Sequence, residues 1–216
     1  LVLVYVAACE KVFSGYTVNI EHSLGKGMYT EVEGDKTISF KEISEIKRIM
    51  CELIEKDIPI YREKMSKEEA VKIFEEKGYE DKVRLYSSMD RDFIDIYRFQ
   101  DHVDTIYGYV APSTGYLEAF DVKYYYPGAI LLAPTQESKT AVPEFVEQRQ
   151  LAKVFKEAED WATILDLGYI GTLNDKILEG SIDEVIRISE ALHEKKIASF
   201  ADIICEDDSV NLIMIA

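Results

Sequence analysis

Proton transfer, nucleophilic attack and metal ligation near neutral pH most often recruit histidine, and this chain offers three: His22, His102 and His193. His102 opens the run His-Val-Asp-Thr-Ile-Tyr-Gly-Tyr-Val-Ala-Pro-Ser-Thr-Gly-Tyr-Leu, which ends at Leu117. Asp104 adds a carboxylate to it, and Tyr107, Tyr109 and Tyr116 add rings with polar tips. Gly108, Pro112 and Gly115 set turns that bring main-chain groups to the surface. Such runs line clefts, and more often they only join strands. His22 and Lys26 flank a second glycine turn, Leu24-Gly25-Lys26-Gly27. The candidate cleft is therefore His22, Lys26, His102, Asp104, Tyr107 and Tyr109, residue types suited to a small polar ligand or a nucleotide.

Stronger chemistry finds no support in the residues. A nucleophilic triad needs a histidine beside an activated Ser or Cys, and no nucleophile elbow is present. A zinc site needs three or four convergent ligands; no two histidines share a helical turn, and Cys9, Cys51 and Cys205 form no Cys-x-x-Cys. Gly25-Lys26-Gly27 lacks the spacing of a phosphate loop and leads into a strand. His193 reads as a helix-surface residue. Catalytic, metal and cofactor residues are accordingly expected to be none.

The 216 residues carry 25 Lys and Arg against 41 Asp and Glu, a formal charge of −16. Such a chain repels phosphate backbones unless a local basic patch intervenes, and the linear sequence displays none, because its cations are interspersed with acids along helices. With 47% hydrophobic residues it has ample material for a core. Unpaired, widely spaced cysteines fit a reducing, cytoplasmic setting. The apolar start, Leu1 to Ala8, is too short to span a membrane. It lacks an initiating Met, which implies that other residues precede it.

The elements that must position these residues follow from periodicity. Leu1 to Phe13 mixes helix and strand formers and is undecided on propensity. Tyr16–Ile20 and Met28–Val32 read as a hairpin. Ser39 or Thr37 caps a helix reaching about Asp57, with Ile43, Ile46, Ile49, Met50, Leu53 and Ile54 as its apolar stripe. Ile60–Met65 reads as a strand, and the capping box Ser66-Lys67-Glu68-Glu69 opens a helix ending at Gly78. Val83–Tyr86, Phe93–Phe99, Tyr116–Tyr126 and Ala129–Leu132 read as strands. After Pro143, Gln148–Leu165, Leu173–Leu178 and Ile182–Phe200 are helical, a compact segment anchored by Trp161. The fold class expected is α+β, mainly antiparallel sheet with packed helices, followed by a small helical segment.

Residues from about Val6 to Leu132 resemble the second N-terminal domain of threonyl-tRNA synthetases, shared with alanyl-tRNA synthetases. The match is carried by Phe13, Ile20 through Tyr29, the helix from Ile43 to Ile54, Ser66 to Phe74, Val103-Asp104, Gly108 and Pro112-Ser113-Thr114-Gly115. The resemblance implies that Leu1 to Phe13 is helical. It also implies an editing site built from a His-x-x-x-His pair in the first helix and a Cys-x-x-x-His pair in the glycine loop. Here the second position of the first pair falls on Leu3, and the second pair falls on Ile106 and Val110. Branched hydrocarbons cannot ligate metal or move protons. The implied editing chemistry is thus absent.

The whole chain also resembles bacterial uridine kinase-related (nucleoside kinase-like) proteins. The resemblance is carried by this domain, then Pro143-Glu144-Phe145, then Ile188 to Ala198, then Leu212 to Ala216 as the strand before a phosphate loop. It implies an editing-like domain over 1–140, a helical linker over 141–205 and the start of a kinase domain over 206–216. It further implies a non-catalytic, ligand-sensing or positioning role for this region. ATP and magnesium would belong to the kinase domain, which would be its partner in the same chain. Nucleic-acid (tRNA) binding inherited from the synthetase scaffold is the alternative, and the charge disfavours it.

Overall fold

A computed structural model of the chain describes residues 1–34, 36–206 and 209. Val2–Val12 is helix α1, and its Leu3, Val4, Tyr5, Ala7, Ala8 and Cys9 are buried. A segment undecided on propensity becomes helical because nearly every side of it meets apolar partners. β1 (Val18–Leu24) and β2 (Gly27–Val32) form a hairpin closed by Gly25-Lys26. β1 runs further than its alternation implied because the register shifts between Ile20 and His22.

Helix α2 (Phe40–Glu55) is capped by Ser39 in a reciprocal capping box with Glu42. Strand β3 (Tyr61–Ser66) leads into α3 (Lys67–Lys77), which has a second capping box, Ser66 with Glu69, and ends on Gly78 in the left-handed conformation. Residues expected as a strand at Val83–Tyr86 instead lie within helix α4 (Glu80–Ser88). Tyr79, Val83 and Tyr86 are spaced to place one helical face on Phe74, and the four-residue window was too short to reveal that period. Strands β4 (Phe93–Phe99) and β5 (His102–Asp104) follow. The strand expected from Tyr116 is shorter: a 3-10 turn occupies Thr114–Tyr116, and β6 spans only Asp121–Tyr125, before β7 (Gly128–Leu132).

The strands form two antiparallel sheets, β1-β2-β7-β6 and β3-β4-β5. The α+β class with packed helices is as the sequence implied. Helices α1 and α2 cover the first sheet, and Tyr97 and Phe99 of β4 join the same core. Within it Thr30 Oγ1 donates to Ala129 O at 3.3 Å and shares a 2.6 Å hydrogen bond with the Tyr5 hydroxyl, tying α1 to the sheet. Burial pushes the neighbouring Cys9 thiol up to about 12, so it packs as a hydrophobe. Gly128 is required where β7 meets β2, since a Cβ there would stand 1.9 Å from Thr30 O. A second core joins α3 and α4 to β4 and β5 through Ala70, Phe74, Tyr86, Ile94, Ile96 and Val103.

Three helices complete the described chain: α5 (Arg149–Ile164), α6 (Ile170–Leu178) and α7 (Ile182–Glu206). α6 docks on α4 so closely that a Cβ on Gly171 would meet Arg84 Cβ at 2.9 Å. Neither α5 nor α7 buries a residue fully, and Trp161 is only half-buried rather than a core anchor. Phe155 and Ala152 of α5 instead pack on Leu24, Tyr29, Ile130 and Leu132, the outer face of the first sheet. Among the described residues no helix is long and apolar enough to cross a membrane. The expected kinase strand, Leu212–Ala216, lies outside the described residues.

Candidate binding site: the recess between the first helix and the glycine loop

The run from His102 to Leu117 leaves β5 and wraps the start of α1. Its anchor is Thr114, 1% exposed. The Thr114 hydroxyl donates to Leu53 O at 2.6 Å and accepts from Ile58 N at 2.8 Å, and Thr114 N donates to Ile58 O at 2.9 Å. Asp57, which carries a left-handed backbone at the end of α2, accepts from Ser113 Oγ and, at 3.1 Å, from Gly115 N. Gly115 admits that carboxylate because a Cβ would stand 2.4 Å from Asp57 Oδ1. Ile60 N donates to Pro112 O at 2.8 Å, and the Tyr97 hydroxyl donates to Gly108 O at 2.5 Å. The loop is therefore pinned at both ends and in the middle.

Pinned in this way, the loop encloses a recess of about 350 Å³ against α1. Leu3 and Val4 line one wall, Ile106, Val110 and Leu117 the other, with Ile60, Tyr109 and Tyr116 at the edges. Leu3, Ile106 and Val110, which the synthetase resemblance sets at the reactive positions, thus face one space. The named side chains that line it bring no carboxylate, imidazole, thiol or ammonium group. It can hold an apolar group, and its only proton-bearing side chains are hydroxyls, those of Ser113, Thr114, Tyr109 and Tyr116.

Polar chemistry lies on another side of α1. His102 is 4% exposed, and its Nδ1 lies 2.9 Å from Glu10 Oε2. Glu10 also accepts from the Tyr79 hydroxyl, and Lys82 Nζ stands 2.8 Å from Asp104 Oδ1. Burial opposes ionisation of Glu10, but the hydrogen bond and charge of His102, with Tyr79 and Lys77, outweigh it and hold the carboxyl below its usual range. Glu10, Lys82 and Asp104 border a cavity of about 380 Å³ that Glu21 also lines. There burial and the charges of Glu159 and Glu31 raise the Glu21 carboxyl above its usual range.

The six cleft candidates do not share one site. His102 and Asp104 meet in the buried cluster, while Tyr107 and Tyr109 project from the loop into solvent. His22 packs on Phe155 at a tilt with ring centroids 4.1 Å apart, and Lys26 at the hairpin tip pairs with Glu137 at 3.1 Å. The separation follows from topology, since His22 and Lys26 belong to one sheet and His102 and Asp104 to the other. Sequence reading missed Glu10, Asp57, Tyr79 and Lys82, whose roles arise only when distant segments meet. Asp57 left one local signal, a short polar residue just past a helix end. His193 is exposed on α7. Among the described residues no group of three or more His, Cys, Asp and Glu is gathered as a metal site.

Comparison with known proteins agrees with half of the chain. It is 33% identical over 114 residues to the threonine–tRNA ligase of Marinobacter nauticus, covering 52% of this chain and 18% of that protein. The threonine–tRNA ligase of Carboxydothermus hydrogenoformans is likewise 33% identical over 114 residues, with the same shares of 52% and 18%. That of Syntrophotalea carbinolica is 33% identical over 129 residues, 57% of this chain and 20% of the relative. The chain therefore spans about a fifth of the length of the curated relatives it matches. No family model matches it.

Proposed function

We propose that this region is a non-catalytic binding module on a threonyl-tRNA synthetase-like editing scaffold. The observation that carries the proposal is the single recess lined by Leu3, Ile106 and Val110. Hydrolysis of an aminoacyl ester at that place needs an activated water, and hydrocarbon walls can neither activate water nor hold the metal or base that would. What remains is a shaped, pinned pocket that binds and positions. The test is deacylation of mischarged tRNA together with thermal-shift screening against nucleosides, nucleotides and amino acids. The module reading requires no turnover and a shift with at least one ligand class. Metal-dependent turnover removes it, and so does a melting transition that no ligand moves.

The same reading extends to the longer protein, where the module would serve a uridine kinase-like phosphotransferase domain using ATP and magnesium in the cytoplasm. Its support is the order of sequence segments alone, and a residue run of the form GxxxxGK[ST] after Ala216 is what it requires. A second reading, tRNA binding without hydrolysis, draws support from the similarity to threonine–tRNA ligases. A salt-dependent gel shift with tRNA tests it, because phosphate contacts make affinity fall with ionic strength.

A further inference from the structure

We infer that the outward stripe of helix α7 pairs with that of a second copy of this chain, antiparallel, across a two-fold axis at His193. The starting point is where the molecule leaves hydrocarbon open. Among the described residues, eleven large aliphatic side chains are more than a third exposed, and all eleven lie after residue 145. Before that point the exposed large apolar side chains are aromatic, mostly tyrosines with a polar tip. A large aliphatic side chain offers on the order of 100 Å². Eleven of them about half open therefore leave on the order of 500 Å² of hydrocarbon uncovered. That is close to the apolar share of the roughly 800 Å² that each partner buries in a stable complex.

The longest run of it lies along α7. This helix has 25 residues, about 37 Å of length, and buries none of them fully. Lys196 pairs with Glu157 of α5 at 2.6 Å, which fixes the flank of α7 that faces the rest of the molecule. The adjoining stripe is left open, with Ile186 47% exposed, Ile197 49% and Phe200 52%.

That stripe is symmetric about His193, and the symmetry selects the occupant. Ile182 and Ile204 stand eleven residues from His193, Ile186 and Phe200 seven, and Ser189 and Ile197 four, all on one helical face. In a two-fold pair, if residue i of one copy meets residue j of the other, then j also meets i. An antiparallel copy therefore sets Ile182 on Ile204, Ile186 on Phe200 and Ser189 on Ile197, twice over, with His193 at the axis. A partner of another kind would need no such symmetry. None of these positions is acidic, although the chain carries a formal charge of −16. Antiparallel pairing also opposes the two helix dipoles, whereas parallel pairing would align them.

The test is sedimentation equilibrium of the 216-residue chain over micromolar concentrations, with disulfide trapping to fix the register. The expected particle has twice the 24.7 kDa mass of one chain and dissociates on dilution. Added salt should tighten it, because salt screens the repulsion between two acidic copies. Ile197→Glu and Phe200→Glu should each weaken the pair by at least about tenfold, since each buries a charge against hydrocarbon. Both side chains are half open in the single chain, so its folding should survive, and Asp202→Asn on the opposite face should leave the pair unchanged. With the exposed Cys51 and Cys205 replaced by Ser, His193→Cys should link to its own copy on oxidation, and Ser189→Cys should not, because its neighbour is Ile197. A single-chain particle at every concentration overturns the inference, including the case in which residues 207–216 cover the stripe instead. So does a pair whose affinity neither glutamate variant changes, which places the interface elsewhere. Trapping by Ser189→Cys as readily as by His193→Cys means a parallel pair and overturns the arrangement.

Discussion

Two sides of helix α1 put the same loop to opposite uses. On one, Ile106 and Val110 close an apolar recess over Leu3. On the other, His102 and Asp104, only a few residues earlier, enter a cluster of paired charges with Glu10, Tyr79 and Lys82. A resemblance that places reactive groups on the first side finds hydrocarbon there, while the polar side chains on the second pair with one another, His102 through Nδ1 alone, its buried Nε2 having no hydrogen-bond partner among the described residues. The contrast teaches that polar residues near a glycine loop do not mark a reactive centre. What matters is whether their partners are free for a substrate or already taken within the fold.

The largest effect that sharpens this contrast should come from the pin of the recess. Thr114→Val keeps the volume but deprives Leu53 O and Ile58 N of their shared partner. Leaving such buried groups unmet costs about 2–3 kcal/mol, a fall in Tm of roughly 5–10 °C. Thermal unfolding should show that loss with little dependence on pH, because no ionisable group is involved. A strongly pH-dependent loss would mean that the two sides are coupled rather than distinct.

Glu10→Gln, on the polar side, should cost about 1 kcal/mol at neutral pH once partial exposure is allowed for. Here the sign can be worked out. The Glu10 carboxyl is depressed in the folded chain, so its contribution is complete above the ordinary carboxylate value and is lost as pH falls through the lower folded value. Stability followed by denaturant titration should decline at acid pH in the parent and less steeply in the variant. Parallel curves would deny Glu10 its place in the cluster.

Glu21 borders the same polar cavity without a compensating cation as close, and its effect should be the smallest and opposite in sign. Its carboxyl is raised by burial and by Glu159 and Glu31, so the folded state is favoured when it is protonated and loses that advantage as pH rises through the folded value. Glu21→Gln should therefore stabilise at neutral pH by a few tenths of a kcal/mol after solvent screening. A measurable loss of stability instead would mean that the carboxylate has a favourable partner.

How much of this was legible beforehand depended on how local each cause was. Helices α2 and α3 were readable because their capping boxes, apolar stripes and the glycine after α3 are all written within one segment. α4 was not, since Val83 to Tyr86 shows too few residues to separate a helical period from a strand. Trp161 looked like an anchor because of its size, yet α5 rests on the sheet mainly through Ala152 and Phe155. At the site, Leu3, Ile106 and Val110 could be picked out through the resemblance, while Asp57, Glu10 and Lys82 could not, because their partners lie tens of residues away. His102 was read as a cleft residue from its type and neighbours; the fold spends it inside.

The central claim, that hydrocarbon at Leu3, Ile106 and Val110 has removed hydrolytic chemistry from the recess, is tested most directly by incubating the chain with mischarged tRNA, with and without added zinc. The account expects deacylation at the rate of buffer alone under both conditions. Turnover above that rate, rising with zinc and abolished by chelation, would contradict it.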